Sequence, residues 1–219
     1  MTRPVVISLC DLTGNFVAPW VEAGYRAILV DPQHEATDFG GAVMKLAMTV
    51  EEATPVLGEY VRDDIVALVA GWPPCTDMAV SGARWFEAKR QADPMFQAKA
   101  VAVAEQCRTI GRLSGAPWLV ENPVSVLRRV FGKADHIFDP ADYSALEPAD
   151  NYTKRTCLWT GGGFVMPTPQ RDASLGTPDD RIHKAPPGPE RANFRSATPM
   201  GFARAVFQAN RPAGIEVAA

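Results

Sequence analysis

The stretch between Asp64 and Ser81, DIVALVAGWPPCTDMAVS, constrains the fold more than any other part of the chain. Ile65, Val66, Ala67, Leu68, Val69 and Ala70 form a nearly unbroken apolar run with β-branched members, which at this length reads as a strand buried on both faces. Gly71 ends it. Pro73 and Pro74 each lack a backbone N–H and have a fixed φ, so the chain must leave the sheet in a stiff extended loop. Cys75 is the first reactive side chain beyond that exit, at the carboxyl end of a central strand, where open α/β sheets place their ligands and chemistry. From these residues alone it reads either as a presented thiol or as a small buried hydrophobe.

The rest of the chain supplies partners for this strand. Pro4 to Cys10 is a second β-branched run, leading through Asp11, Thr13, Gly14 and Asn15 into a helical pattern of Phe16, Trp20, Val21 and Tyr25. Pro19 falls in its first turn, where a missing N–H does little harm, and Gly24 ends it. Ala27 to Val30 then form a strand that finishes at Asp31. An acid at the tip of the second strand of a βαβ unit, roughly 20 residues past a glycine turn, is placed to hold ribose hydroxyls. The turn has one glycine rather than three, so a solvated strand cap is the competing reading. A helix around Val50 to Tyr60 is interrupted by Pro55, and Ala92 to Leu113 read as one long amphipathic helix. Trp118, Leu119 and Val120 predict a short strand ending in Glu121, Asn122 and Pro123, which delivers polar groups to the same sheet edge as Cys75. Val124 to Phe131 read as a short helix, Asp135 to Asp150 as an acidic loop, and Thr156 to Trp159 as a strand broken by Gly161 to Gly163. Thr168 to Asn193 read as a long irregular loop, before a last helix over Pro199 to Ala209. The fold class is α/β.

With 219 residues the chain is long enough for one well-cored domain and too short for two of ordinary size, so residues 1–219 are expected to form a single unit. Its formal charge of −3 gives no global basic field, and contact with nucleic acid would depend on local clusters. The four cysteines follow no metal-type spacing and read as free thiols in a reducing compartment; no metal is expected. MTRPVVISLC is too short an apolar run for a signal peptide, and no segment approaches the roughly 18 apolar residues of a membrane span. A soluble, cytoplasmic protein with no membrane contact is the expectation.

GWPPCT, then ENP at a later strand end, then KRT before another strand stand in fixed order behind a strand, turn and helix that lead to an acid. Together with AVSGARWF, YTKRTCLW and the terminal RSATPMGFARA, this set resembles the DNA cytosine-5 methyltransferases, most closely their short phage-borne members. The resemblance covers nearly the whole chain. It implies a Rossmann-like class I methyltransferase fold, a mostly parallel sheet with helices on both faces, and S-adenosylmethionine as cofactor. It also implies that Cys75 adds as thiolate to carbon 6 of cytosine, that Glu121 hydrogen-bonds ring nitrogen 3, and that Arg155 neutralises charge developing on the base. The cofactor would lie against Asp11, Thr13, Gly14, Asn15, Phe16, Asp31, Pro32, Pro73 and Ser196. The substrate would meet Pro74, Thr76, Ser81, Arg84, Asn122 and Lys154. The implied partner is DNA, as a duplex with its cytosine flipped out or as a single strand. The implied location is the cytoplasm, that of the host for a phage-encoded protein, where evasion of restriction would be a role.

Three departures from the family pattern bear on function. No carboxylate stands at Ala47, Met48 or Thr49, where the family places an acid against the adenine amino group. Thr76 replaces the usual glutamine after the cysteine. The recognition domain is missing, with only the irregular segment from about 161 to 195 in its place, so sequence readout should be short or absent. Two other readings therefore stand beside methylation of DNA: modification of a pyrimidine nucleotide or of RNA cytosine, and a catalytically silent fold used for DNA binding or anti-restriction.

Overall fold

The computed structural model describes residues 4–63, 65–186, 188 and 191–212; Asp64 lies outside them. Seven strands form one sheet: β1 (Val5–Leu9), β2 (Arg26–Val30), β3 (Val43–Leu46), β4 (Val66–Gly71), β5 (Trp118–Pro123), β6 (His136–Phe138) and β7 (Thr156–Gly161). Their order is β3-β2-β1-β4-β5-β7-β6. The first five pair in parallel, and β7 runs antiparallel to both β5 and β6. Helices α1 (Ala18–Glu22), α2 (Val50–Arg62), α3 (Phe86–Ala92), α4 (Phe96–Leu113), α5 (Leu127–Phe131), α6 (Arg181–Lys184), α7 (Arg191–Ser196) and α8 (Met200–Asn210) complete the described elements.

This is a Rossmann-like α/β fold, and the alternation of side chains along the strands builds its two cores. Val6, Leu29, Leu68 and Leu158 face Phe16 and Trp20 at α1 and Phe202 and Val206 of α8. Val5, Ile7, Leu9, Ile28, Val69 and Val120 face Val50, Ala53 and Leu57 of α2 and Cys107 and Ile110 of α4. Burial on both faces explains why β1 and β4 read as continuous apolar runs. Gly71 is required where α4 crosses β4, since a Cβ there would lie 2.6 Å from Cβ of Cys107.

Successive strands run outward from β1 in one direction and from β4 in the other, so the sheet order reverses between these two neighbours. The carboxyl ends of β1 and β4 flank the crevice that such a reversal opens, which is where ligands enter doubly wound sheets. Asp11 follows one and Cys75 the other.

The structure alters several expected boundaries. The helix expected over Ala92–Leu113 starts only at Phe96, because Asp93 precedes Pro94 and is held extended at φ −147 and ψ 101. Pro55 does not interrupt α2, which a capping box between Thr49 and Glu52 starts and three buried side chains hold against the sheet. Glu121, Asn122 and Pro123 end β5 as expected, paired with Leu158, Cys157 and Thr156 of β7. The helix expected from Val124 begins at Leu127. The acidic loop after Asp135 contains β6 and two 3₁₀ turns, Pro140–Tyr143 and Pro148–Asp150. Between β7 and α7, the described residues hold only the 3₁₀ turn Ala173–Leu175 and the four-residue α6.

Candidate active site

The loop after β4 is fixed at both ends. At its start the Trp72 backbone N–H donates to the Leu9 carbonyl at 2.9 Å, and the Trp72 indole donates to Ser8 Oγ at 3.0 Å. Beyond Cys75 the chain curls back, with the backbone N–H groups of Met78 and Ala79 donating to the Cys75 carbonyl at 2.9 and 2.8 Å. Met78 is fully buried and anchors this curl. From β5, the Asn122 side-chain amide donates to the Pro73 carbonyl at 3.1 Å. Pro73 is buried, whereas Pro74 and Thr76 are exposed on either side of the half-buried Cys75.

Glu121 stands beside this loop, 8% exposed, and its Oε1 has no hydrogen-bond partner among the described residues. Burial pushes its carboxyl above the ordinary carboxylate range, against the pull of Lys154. Burial also pushes the Cys75 thiol up and the Glu121 charge adds to the rise, while Lys154 and Arg195 act in the opposite direction. Asn122 Oδ1 is a second buried acceptor unpartnered among the described residues. Unpaired buried polar atoms are costly and rare in folded proteins.

Of the residues assigned to chemistry on the sequence, Cys75 and Glu121 lie close enough for the charge of one to bear on the other. Arg155 is exposed and its charge bears on Cys157. Lys154, expected only to touch substrate, is the cation whose charge reaches both Cys75 and Glu121. The pairing of Thr156 with Pro123 brings the chain before β7 to the β5 tip, and there the half-buried Lys154 takes the inner position. Arg195 of α7 also bears on Cys75.

The residues expected to hold a cofactor divide in the same way. Asp11 is 4% exposed and spends its carboxylate on the turn: Oδ2 accepts from Ser8 Oγ at 2.7 Å, and Oδ1 accepts from the backbone N–H of Gly14 at 2.8 Å and of Thr13 at 3.1 Å. It positions the turn rather than offering itself to a ligand. Gly14 sits at φ +71, and a Cβ there would lie 3.1 Å from Leu29, so the turn requires glycine. Phe16 is wholly buried and packs edge-on against Trp72 at 5.1 Å. The Asn15 side chain donates to the Thr198 carbonyl at 3.1 Å and ties the turn to the start of α8. Exposed Thr13 and Pro32 flank the crevice. Exposed Ser196 spends its hydroxyl on the Asn193 carbonyl of its own helix. Ser81 and Arg84 are exposed on the 3₁₀ turn Val80–Trp85 that follows the cysteine loop.

Asp31 is the acid with capacity left. It lies at the β2 tip, 6% exposed, with Oδ1 accepting from the Gln33 backbone at 2.8 Å. Its backbone N–H donates to the Leu46 carbonyl, which sets the β3 tip beside it, and the next residue there is Ala47. That tip carries no carboxylate. His34 is buried next to Asp31 with Nε2 unpartnered among the described residues, and burial holds its imidazole below the ordinary value. Nothing in the sequence singled it out, because it falls in a stretch without clear periodicity.

Among the described residues no group of three or more His, Cys, Asp or Glu could hold a metal ion, and no helix is long and apolar enough to cross a membrane. Compared with known proteins, the chain matches no protein-family model and no curated sequence.

Proposed function

We propose that the chain is an S-adenosylmethionine-dependent methyltransferase acting on carbon 5 of cytosine in DNA, with short or no sequence specificity. One observation carries the reading. Cys75 and Glu121 share the edge of two adjacent strands, and the buried Glu121 carboxyl is pushed above the ordinary carboxylate range and is unpartnered at Oε1 among the described residues. A carboxylic acid that keeps its proton can donate to a ring nitrogen, which a charged one cannot do.

In this reading the Cys75 sulfur adds to carbon 6 of the ring while Glu121 holds nitrogen 3 and gives up its proton as charge builds there. Lys154 favours the thiolate that the first step needs, the thiol proton passing to water, and stabilises the negative charge left on Glu121. Asn122 keeps the Cys75 loop in place through Pro73. The residues present suit the nucleoside half of the cofactor in part: Asp31 has capacity for ribose hydroxyls, while the β3 tip lacks an acid for the adenine amino group. S-adenosylmethionine would supply the electrophilic methyl group. After its transfer the proton on carbon 5 would leave to water, the C6–sulfur bond would break with Cys75 leaving as thiolate, and the proton on nitrogen 3 would return to Glu121.

The missing acid at Ala47 favours a second reading, a silent fold that binds DNA without modifying it. Incubation with cofactor labelled in its methyl group, against DNA, RNA and dCMP in parallel, separates the readings. Label in DNA supports the proposal; label confined to RNA or dCMP transfers the chemistry to those substrates; none in any supports the silent fold.

A further inference from the structure

We propose that the rim around Cys75 docks single-stranded DNA, the bases beside the target stacking on Trp85 and on the apolar pair Val80 and Val124. This rests on the reading of the site as one for cytosine in DNA. The rim is built by two loops that hydrogen-bond to each other: the Val80 backbone N–H donates to the Val124 carbonyl at 3.0 Å, and that of Val126 donates to the Met78 carbonyl at 3.0 Å. One loop follows Cys75 and the other follows Glu121 and Asn122. Their joint surface leaves Val80, Trp85, Val124 and Val130 between 41% and 56% exposed. The Arg84 guanidinium lies over the Trp85 ring, 5.1 Å from its centroid.

Charge separates this rim from the other side of the site. Among the described residues Arg84, Arg128, Arg129, Lys154 and Arg155 form no ion pair, and the neighbouring acids Asp77 and Glu87 are taken by Lys89 and Arg90. In the segment standing in place of a recognition domain, three cations are ion-paired, Arg171 to Asp142, Arg181 to Asp179 and Lys184 to Asp180, and Arg191 donates to the Ala185 carbonyl. Arg195, whose charge reaches Cys75, adds to the rim's positive charge at the cysteine itself. A duplex keeps its bases stacked inside and has to be gripped across both strands, and extruding a base costs unstacking energy. A single strand needs one basic track and exposed apolar or aromatic faces for its bases, which is what this rim offers.

The test is fluorescence anisotropy of the full chain, without cofactor, on a labelled single-stranded cytosine-containing oligonucleotide of about 12 nucleotides, a hairpin duplex of the same sequence and the RNA equivalent. Tightest binding to the single-stranded DNA is expected, with Trp85→Ala weakening it about ten-fold and Arg128→Ala/Arg129→Ala lowering its salt dependence. Leu113→Ala, an exposed apolar change on α4 away from the rim, should leave binding unchanged. Duplex or RNA bound as tightly as the single strand, or Trp85→Ala without effect, overturns the inference. Single-strand binding without methyl transfer would contradict the catalytic reading and support the rim; methyl transfer to duplex with no preference for the single strand would do the reverse.

Discussion

Asn122 donates to the Pro73 carbonyl at 3.1 Å, so the strand that carries Glu121 holds the loop that carries Cys75. The two reacting groups of the proposed chemistry are thus fixed relative to each other by one buried amide. Residues 73 and 122 are 49 positions apart, and only the parallel pairing of β4 with β5 brings them together.

Removing that clamp should cost stability as well as activity. Asn122→Ala leaves the buried Pro73 carbonyl without its donor, and a loss of about 1–3 kcal/mol is expected in urea unfolding. A change below about 0.5 kcal/mol would show the contact to be dispensable, as for an ordinary surface substitution.

Lys154 and Arg155 are distinguished by the reactivity of Cys75. With Lys154→Met the thiol loses a cation that lowers its pKa, so the pH profile of its alkylation by iodoacetamide should move to higher pH. Arg155→Met should leave the profile in place. The opposite pattern would restore Arg155 to the role expected on the sequence.

Glu121 makes folding stability depend on pH. Its folded value lies above that of the unfolded chain, so its contribution is fully present below the ordinary carboxylate range and is lost as pH rises through the raised value. Glu121→Gln cannot ionise and escapes this loss. Thermal unfolding should show the variant gaining on the wild type as pH rises above the ordinary carboxylate range; a difference independent of pH would contradict the assignment.

Asp31 and Asp11 should respond differently to the same change. Asp31→Ala should weaken binding of S-adenosylhomocysteine by about 10 to 100 fold in calorimetry, the loss of one charge-assisted hydrogen bond, with little effect on stability. Asp11→Ala deprives Ser8, Thr13 and Gly14 of their acceptor and should lower stability by about 1–3 kcal/mol. Unchanged affinity in Asp31→Ala would make that acid a strand cap.

The sheet centre was legible because β1, β2 and β4 are apolar on both faces and end at recognisable breakers. β3 and β6 were not, being edge strands of four and three residues with too little periodicity to stand out. The positions of Cys75 and Glu121 followed from strand ends alone. What sequence could not assign was which of two neighbouring cations turns inward, since that depends on the pairing of β7 with β5, or that Phe16 and Asp11 serve the interior of the turn. These depend on tertiary contacts such as the chain from Trp72 through Ser8 to Asp11.

The central claim is a covalent bond between Cys75 and carbon 6 of cytosine, and trapping measures it directly. Single-stranded DNA containing 5-fluorocytosine, incubated with the full chain and S-adenosylmethionine, should give a protein–DNA adduct that survives denaturing electrophoresis, because fluorine cannot leave carbon 5 as a proton does. The account predicts this adduct in the wild type and none in Cys75→Ser. A wild type that forms no adduct, or a Cys75→Ser protein that still does, would contradict it.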